Sequence, residues 1–177
     1  LVPGADVEWT ITAPIPVTDD PITVAAVYDK LDAALKFKST ESVTIGGTLV
    51  GEADYDVVFG FSQDPVAGGA GAAVRWDFTG TGAETETNTG LALINKARTG
   101  YIAAHAAWVA GGSTGDEPAV PTIVIAFKTT VDDVVAPEGG VVDNNPGPVG
   151  NGYGAIFNKT TVPGKETPGK ASGFLAI

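Results

Sequence analysis

Residues 42–61 read SVTIGGTLVGEADYDVVFGF, and this stretch decides the fold. Val43, Ile45, Leu49 and Val50 form one β-branched, apolar run, and Val57, Val58, Phe59 and Phe61 form a second. Gly51, Glu52, Ala53 and Asp54 make a polar break of turn length between them. Two short apolar runs joined by such a break predict an antiparallel hairpin. The hairpin is expected at the middle of an all-β core onto which the remaining chain folds.

Outward from there, strands recur. Val7, Trp9, Ile11 and Ala13 alternate with Glu8, Thr10 and Thr12, a period-two pattern with one heavy apolar face. Pro14 and Pro16 end it, and a strand ending on proline belongs at an edge. It is either the first strand of its own sandwich or an arm for another subunit's. Val74, Trp76 and Phe78 make a second aromatic-faced strand, and residues 122–127 (TIVIAF) a third. Tyr101 to Val109 reads as a buried strand whose alanines also permit a helix. Asp20, Pro21 and the spacing of Val24, Val27, Leu31 and Leu35 predict a helix or mixed segment. A pair of strands, Ile22–Tyr28 and Leu35–Lys38, competes for the same residues. From Val131 to Gly154 the residue types are those of a long loop. About a fifth of the chain is Gly or Pro (24 and 12 residues), so turns are frequent. The expected architecture is a jelly-roll-like antiparallel β-sandwich with at most one or two short helices. Residues 1–16 would be a strand or donor arm, and residues 17–177 the single sandwich domain.

Net charge is −11, most of it in the first 64 residues. Such a chain repels phosphate backbones, which excludes nucleic acid as a natural partner. It has no Cys, so disulfides and thiolate metal sites are excluded. The sequence contains no Met and starts Leu1-Val2-Pro3-Gly4, which is read as removal of a secretory signal and an extracellular location. No apolar run reaches the ~20 residues of a membrane span.

The chemical motifs are thin. Gly111 to Gly115 (GGSTG) matches a nucleophile elbow in letters, but the one histidine, His105, precedes Ser113 and no helix follows. Gly164 to Ala171 stops one hydroxyl short of a phosphate loop. His105 alone cannot build a zinc site. Paired carboxylates are plentiful but lack an aromatic cleft for glycoside chemistry. Calcium suits them better, because it takes hard oxygen ligands from turn acids. The candidate ligands are Asp19, Asp20, Asp54, Asp56, Asp132, Asp133 and Asp143. Asn158, Lys159 and Thr160 form a glycosylation sequon at Asn158.

An acidic, Cys-free, Thr- and Gly-rich sandwich of this kind resembles, in style, the archaeal bundling-pilus and cannula subunits related to bacterial biofilm-matrix fibre proteins. The residues that carry the resemblance are the Val7–Ala13 strand, the Val57–Phe61 and Val74–Phe78 strands and the acidic loops. It implies a non-catalytic structural subunit that assembles with itself, head to tail. On that reading Glu8, Trp9, Thr10, Ile11, Thr12 and Ala13 form a donor strand, and calcium lies in or between subunits. A secreted carbohydrate- or protein-binding module, with Trp76, Trp108 and Tyr153 as its aromatics, is the alternative. A viral capsid or decoration jelly roll carries nearly the same signature.

Overall fold

In the computed structural model, which describes residues 4–31, 35–59, 73–79, 89–131, 152–158 and 160–166, nine strands form two antiparallel sheets. The first sheet runs in the order β1 (Asp6–Pro14), β7 (Thr122–Val131), β3 (Leu35–Ile45), β4 (Thr48–Leu49). The second runs β5 (Asp56–Phe59), β6 (Ala73–Asp77), β2 (Ala25–Lys30), β8 (Gly152–Phe157), β9 (Thr160–Glu166). One helix, α1 (Thr89–Ala110), connects β6 to β7. The all-β sandwich is therefore as expected, with one long helix rather than short ones.

The sheets meet through large rings. Trp76 of β6 lies 5.1 Å from Phe127 of β7 and 6.1 Å from Phe37 of β3, centroid to centroid. Phe37 in turn meets Phe59 of β5 at 5.1 Å. Each buried indole also finds an acceptor: Trp76 donates to Thr40 Oγ1 and Trp9 to Thr129 Oγ1, both at 2.8 Å. An unmet indole N–H in this core would cost about 1–3 kcal/mol.

The residues 42–61 do not form the expected hairpin. The first run is itself a hairpin, β3–β4, turned by Gly46 (φ +55°) and Gly47 (φ +80°), and Thr44 pairs with Leu49. Two successive positive-φ glycines fit the tight primed turn that matches strand twist. The second run, β5, crosses to the other sheet and pairs with β6, after a 3-10 turn at Glu52–Asp54. Of the two readings of Asp20–Leu35 the pair of strands is the one found, and the helix is not: β2 is followed after residues 32–34 by β3. β2 is the central strand of its sheet, and Ala25, Ala26 and Val27 are all buried. Burial on both faces removes the alternation and leaves apolar residues at spacings that imitate a helix. Conversely, the run Tyr101–Val109 lies within α1, the reading its alanines permitted. The helix stops at Gly111 and Gly112 (φ +82°), where the N–H groups of Gly112 and Ser113 bond back to Val109 and Trp108 carbonyls.

Strand register fixes two poles. At one, Pro14, Ile45, Asp77, Phe157 and Thr160 end or begin strands beside the start of β7 at Thr122. Helix α1 lies there: the Asn95 amide bonds both the N–H and the C=O of Ile22 at 2.9 and 2.7 Å. At the opposite pole β1 begins at Asp6, beside the end of β7, and β9 ends at Glu166, opposite Gly152.

Candidate assembly edge and surface groove

Among the described residues β1 lies at one side of the first sheet beside β7, in unbroken register from Asp6↔Thr130 to Pro14↔Thr122. Ile15 N–H bonds to the Pro121 carbonyl and Val131 N–H to the Ala5 carbonyl, so the odd-numbered residues face β7. Alternation then turns the backbone groups of Asp6, Glu8 and Thr10 away from β7, along the sheet edge. The side chains obey the other alternation. Val7, Trp9, Ile11 and Ala13 are buried, whereas Asp6, Glu8, Thr10 and Thr12 are exposed on the outer face. The proposed donor residues Glu8 to Ala13 are thus brought into one strand, and in this single chain that strand completes its own sheet. Trp9 is only 5% exposed and stacks on Phe127.

The outer face beside this edge is ionic. Lys38 Nζ bonds Asp6 Oδ2 at 2.5 Å, and this hydrogen bond holds the Asp6 carboxyl below its ordinary range. Lys128 lies 3.0 Å from Glu41 and 3.4 Å from Glu8. The Glu41 pairing, first of all, raises the Lys128 ammonium above its usual value. Glu41 is lowered by the Ser39 hydroxyl and then by Lys128. These pairs are solvent-exposed and worth little each.

β8 of the second sheet approaches β1. Among the described residues β9 follows β8 at the side of that sheet.

The second feature is a groove of about 410 Å³ between α1 and the segment leading into β7. Ala97, Gly100, Tyr101 and Ala104 form its helix wall, and Pro118 to Pro121 the other. Gly46 forms the floor: a Cβ there would meet Ala97 Cβ at 2.8 Å. Along the helix, Tyr101 stacks on His105 (5.6 Å), which meets Trp108 at 5.5 Å. His105 Nε2 lies 3.3 Å from Glu117 Oε1, and Trp108 Nε1 donates to the Gly115 carbonyl at 3.3 Å. These rings are spent on one another and on the following loop, an arrangement that pins the end of the helix. Ser113 sits exposed in the helix cap, at φ +56°.

The sequence-derived calcium ligands are dispersed. Asp54 Oδ2 accepts from Gly51 N–H, and Asp56 opens β5 opposite Asp77, itself paired with Arg75 at 2.9 Å. The Asp19 carbonyl faces the buried Arg98 guanidinium at 3.2 Å, a poor neighbour for a cation. Asp132, Asp133 and Asp143 lie outside the described residues. Among the described residues no three His, Cys, Asp or Glu side chains gather as a metal site. Asn158 stands at φ +49°, its Oδ1 accepting from Thr23 N–H at 2.6 Å and Nδ2 donating to the Pro21 carbonyl at 3.3 Å. Its side chain thus clasps the entry to β2. Of the alternative's aromatics, Trp76 is wholly buried and Trp108 is half-exposed; the Tyr153 side chain lies outside what is described.

One acid escaped the sequence reading. Asp29 is 1% exposed on β2, and its Oδ1 has no hydrogen-bond partner. Burial pushes its pKa up to about 7, against a backbone hydrogen bond from Lys30. Its position one residue from the end of a central strand, in phase with Ala25 and Val27, was the available signal.

No family model matches the chain, and no curated protein matches it. Solved structures do. The chain is similar to a 35 kDa C-terminal fragment of the major pilin GBS80 of Streptococcus agalactiae, with TM-score 0.52 and 10% identity, covering 91% of this chain and 47% of that one. It is similar to the N-terminal domain of the Streptococcus gordonii adhesin Sgo0707, with TM-score 0.50 and 18% identity, covering 92% and 27%. The full-length major pilin SpaD of Corynebacterium diphtheriae aligns at TM-score 0.49 and 19% identity, covering 90% and 29%. At such identities the likeness is one of fold. The fold is similar to that of these bacterial pilin and adhesin domains. The chain spans less than half the length of each. Among the described residues no helix is long and apolar enough to cross a membrane.

Proposed function

We propose that this chain is a structural, non-catalytic subunit of an extracellular, pilus-like filament, joined to further copies of itself by donation of a β-strand. The observation that carries this reading is β1, nine residues long, unbulged against β7 and at the side of its sheet among the described residues. Natural sheets blunt long edges with bulges, prolines or charges, and β1 has no bulge and no proline before Pro14, its charges being Asp6 and Glu8 on the outer face. The fold shared with a major pilin supports a filament role by analogy. Calcium enters as a counter-ion between acidic copies rather than as the ligand of a described cluster.

The test is electron microscopy and sedimentation of the purified chain over a concentration series. Fibres or a growing ladder of oligomers is the expected result. A monomer at every concentration and salt would end the reading.

The groove beside α1 favours a second reading, an adhesin-like binding module. Its wall carries Tyr101 and two prolines, surfaces that suit an extended peptide. A stable monomer that captures a peptide, lost on Tyr101→Ala, would support it.

A further inference from the structure

We infer that the groove between α1 and residues 118–121 receives a proline-containing peptide that carries lysine or arginine, in the extended polyproline conformation. This deepens the binding-module reading above and rests on it. Four observations lead there.

First, the helix keeps the groove open against its own propensity. Ala97, Gly100, Tyr101 and Ala104 recur at i, i+3, i+4 and i+7, so they share one face of α1. Gly100 stands mid-helix, where glycine is the poorest helix former after proline. The packing does not demand it, because a Cβ at Gly100 would meet no atom within 4 Å. A larger side chain there would take up the space of the groove instead. Second, the walls match a short extended segment. Ala97 to Ala104 rises about 10 Å along the helix, and residues 118–121 span about 13 Å at most. Walls of that length face three or four residues of a polyproline segment at ~3.1 Å each. Third, the second wall selects the conformation. Pro118 and Pro121 have no N–H, and the Pro121 and Thr122 carbonyls already accept from Ile15 and Gly46. Such a wall offers no strand ladder. With Tyr101 it offers flat apolar surface, which suits a polyproline segment, whose backbone stays in water and loses little entropy on docking. Fourth, charge sets the class of partner. The lining carries no charged side chain, but Asp116 and Glu117, both exposed, lead into the Pro118 wall. Glu117 Oε1 lies 3.3 Å from His105 Nε2, and His105 stacks on Tyr101, so this carboxylate sits beside the Tyr101 side of the groove. Its side chain is 58% exposed, which leaves it open to a second donor. Lys96, the exposed lysine of α1, lies outside the lining. A chain of net charge −11 draws cationic segments to such a rim and repels acidic ones.

Fluorescence anisotropy with the full chain and two labelled peptides tests this. One peptide alternates proline with valine and ends in two lysines; the other has glutamates in place of the lysines. The lysine peptide is expected to bind about tenfold more tightly than the glutamate peptide, and less tightly as salt rises. Gly100→Leu is expected to abolish that binding with an unfolding midpoint no lower than the wild type's, since leucine favours a helix where glycine does not. Asp116→Asn combined with Glu117→Gln is expected to weaken binding about fivefold and to flatten its salt dependence. A lysine peptide that binds Gly100→Leu as tightly as the wild type overturns the inference, as does equal binding of the two peptides. If only the glutamate peptide binds, and Tyr101→Ala abolishes its binding, the inference falls and the binding-module reading stands. Binding of neither peptide also overturns the inference. If the wild type is then a dimer by sedimentation that Gly100→Leu dissolves, the occupant is a second copy and the binding-module reading falls with it.

Discussion

Asp29 shows how much one side chain can set. Its carboxyl is buried in the interior with one oxygen unmet, and its pKa rises from 3.8 to about 7. In the unfolded chain the group ionises near pH 4; in the folded chain it keeps its proton to about pH 7. Between those values the folded state holds the extra proton, so stability falls as pH rises. The slope is about 1.4 kcal/mol per pH unit, and the loss across the window reaches about 4 kcal/mol. Above pH 7 both states are ionised and this contribution is flat. Urea unfolding of the wild type at pH 4, 5.5 and 7.5 is expected to show that decline. Asp29→Asn, which does not titrate, is expected to lose this slope; an unchanged slope would mean that Asp29 is not its source. The absolute stability of the Asn variant is not the readout, because an amide leaves its own unmet groups in the same place.

At the scale of elements, the joint between α1 and the strand ends is built from close approaches and backbone hydrogen bonds. Gly46 combines a positive φ with a Cβ position only 2.8 Å from Ala97, whereas Gly47 has a positive φ and open space around it. Gly47→Ala is expected to cost about 1 kcal/mol from backbone strain alone. Gly46→Ala is expected to cost about 2 kcal/mol or more, and the excess to vanish in an Ala97→Gly background. A double-mutant cycle by chemical denaturation measures that coupling. Arg98 is 4% exposed, and its guanidinium donates to the Thr18 and Asp19 carbonyls and, at 3.3 Å, to Asn95 Oδ1. Arg98→Met keeps the stem and removes the donors. It is expected to cost about 2–3 kcal/mol and to speed amide exchange in residues 17–23 first.

These same elements mark what was legible. β1, β6 and β7 declare themselves because each buries one face and wets the other, so alternation survives in the letters. β2 does not, because a central strand covered on both faces has no wet side to show. The helix was obscured for the opposite reason: its alanines have little polarity contrast, and its apolar side chains that face the core or line its margin, Leu91, Leu93, Ile94 and Ala97, all lie in its first half. The β3–β4 turn was visible as paired glycines, but their weight was assigned to the Glu52–Asp54 break. The position of β1 at the side of its sheet, among the described residues, agrees with its terminal proline. The isolation of Asp29 is a product of strand order, which pairs it with Tyr153, more than a hundred positions away, and leaves no local mark.

At the scale of the molecule, on the filament reading, charge governs how copies meet. With a net charge of −11, two copies repel over a distance set by the ionic strength. The screening length is about 30 Å at 0.01 M salt and about 8 Å at 0.15 M. The first is comparable to the length of β1; the second is no longer than a few residues of strand. Assembly is therefore expected to be suppressed in dilute buffer and to rise steeply as salt approaches 0.15 M. Calcium and sodium separate two mechanisms. If calcium acts by screening, sodium chloride at matched ionic strength reproduces most of its effect, and magnesium equals calcium. If acids from two copies close around the ion, millimolar calcium promotes assembly where matched sodium and magnesium do not, since calcium tolerates the irregular oxygen sets that magnesium refuses. The dispersed positions of Asp19, Asp54 and Asp56 predict the first outcome. Light scattering in the three salts, at constant protein concentration and pH 7, decides between them. A calcium-specific response would place a metal site between copies and would require the acids outside the described residues.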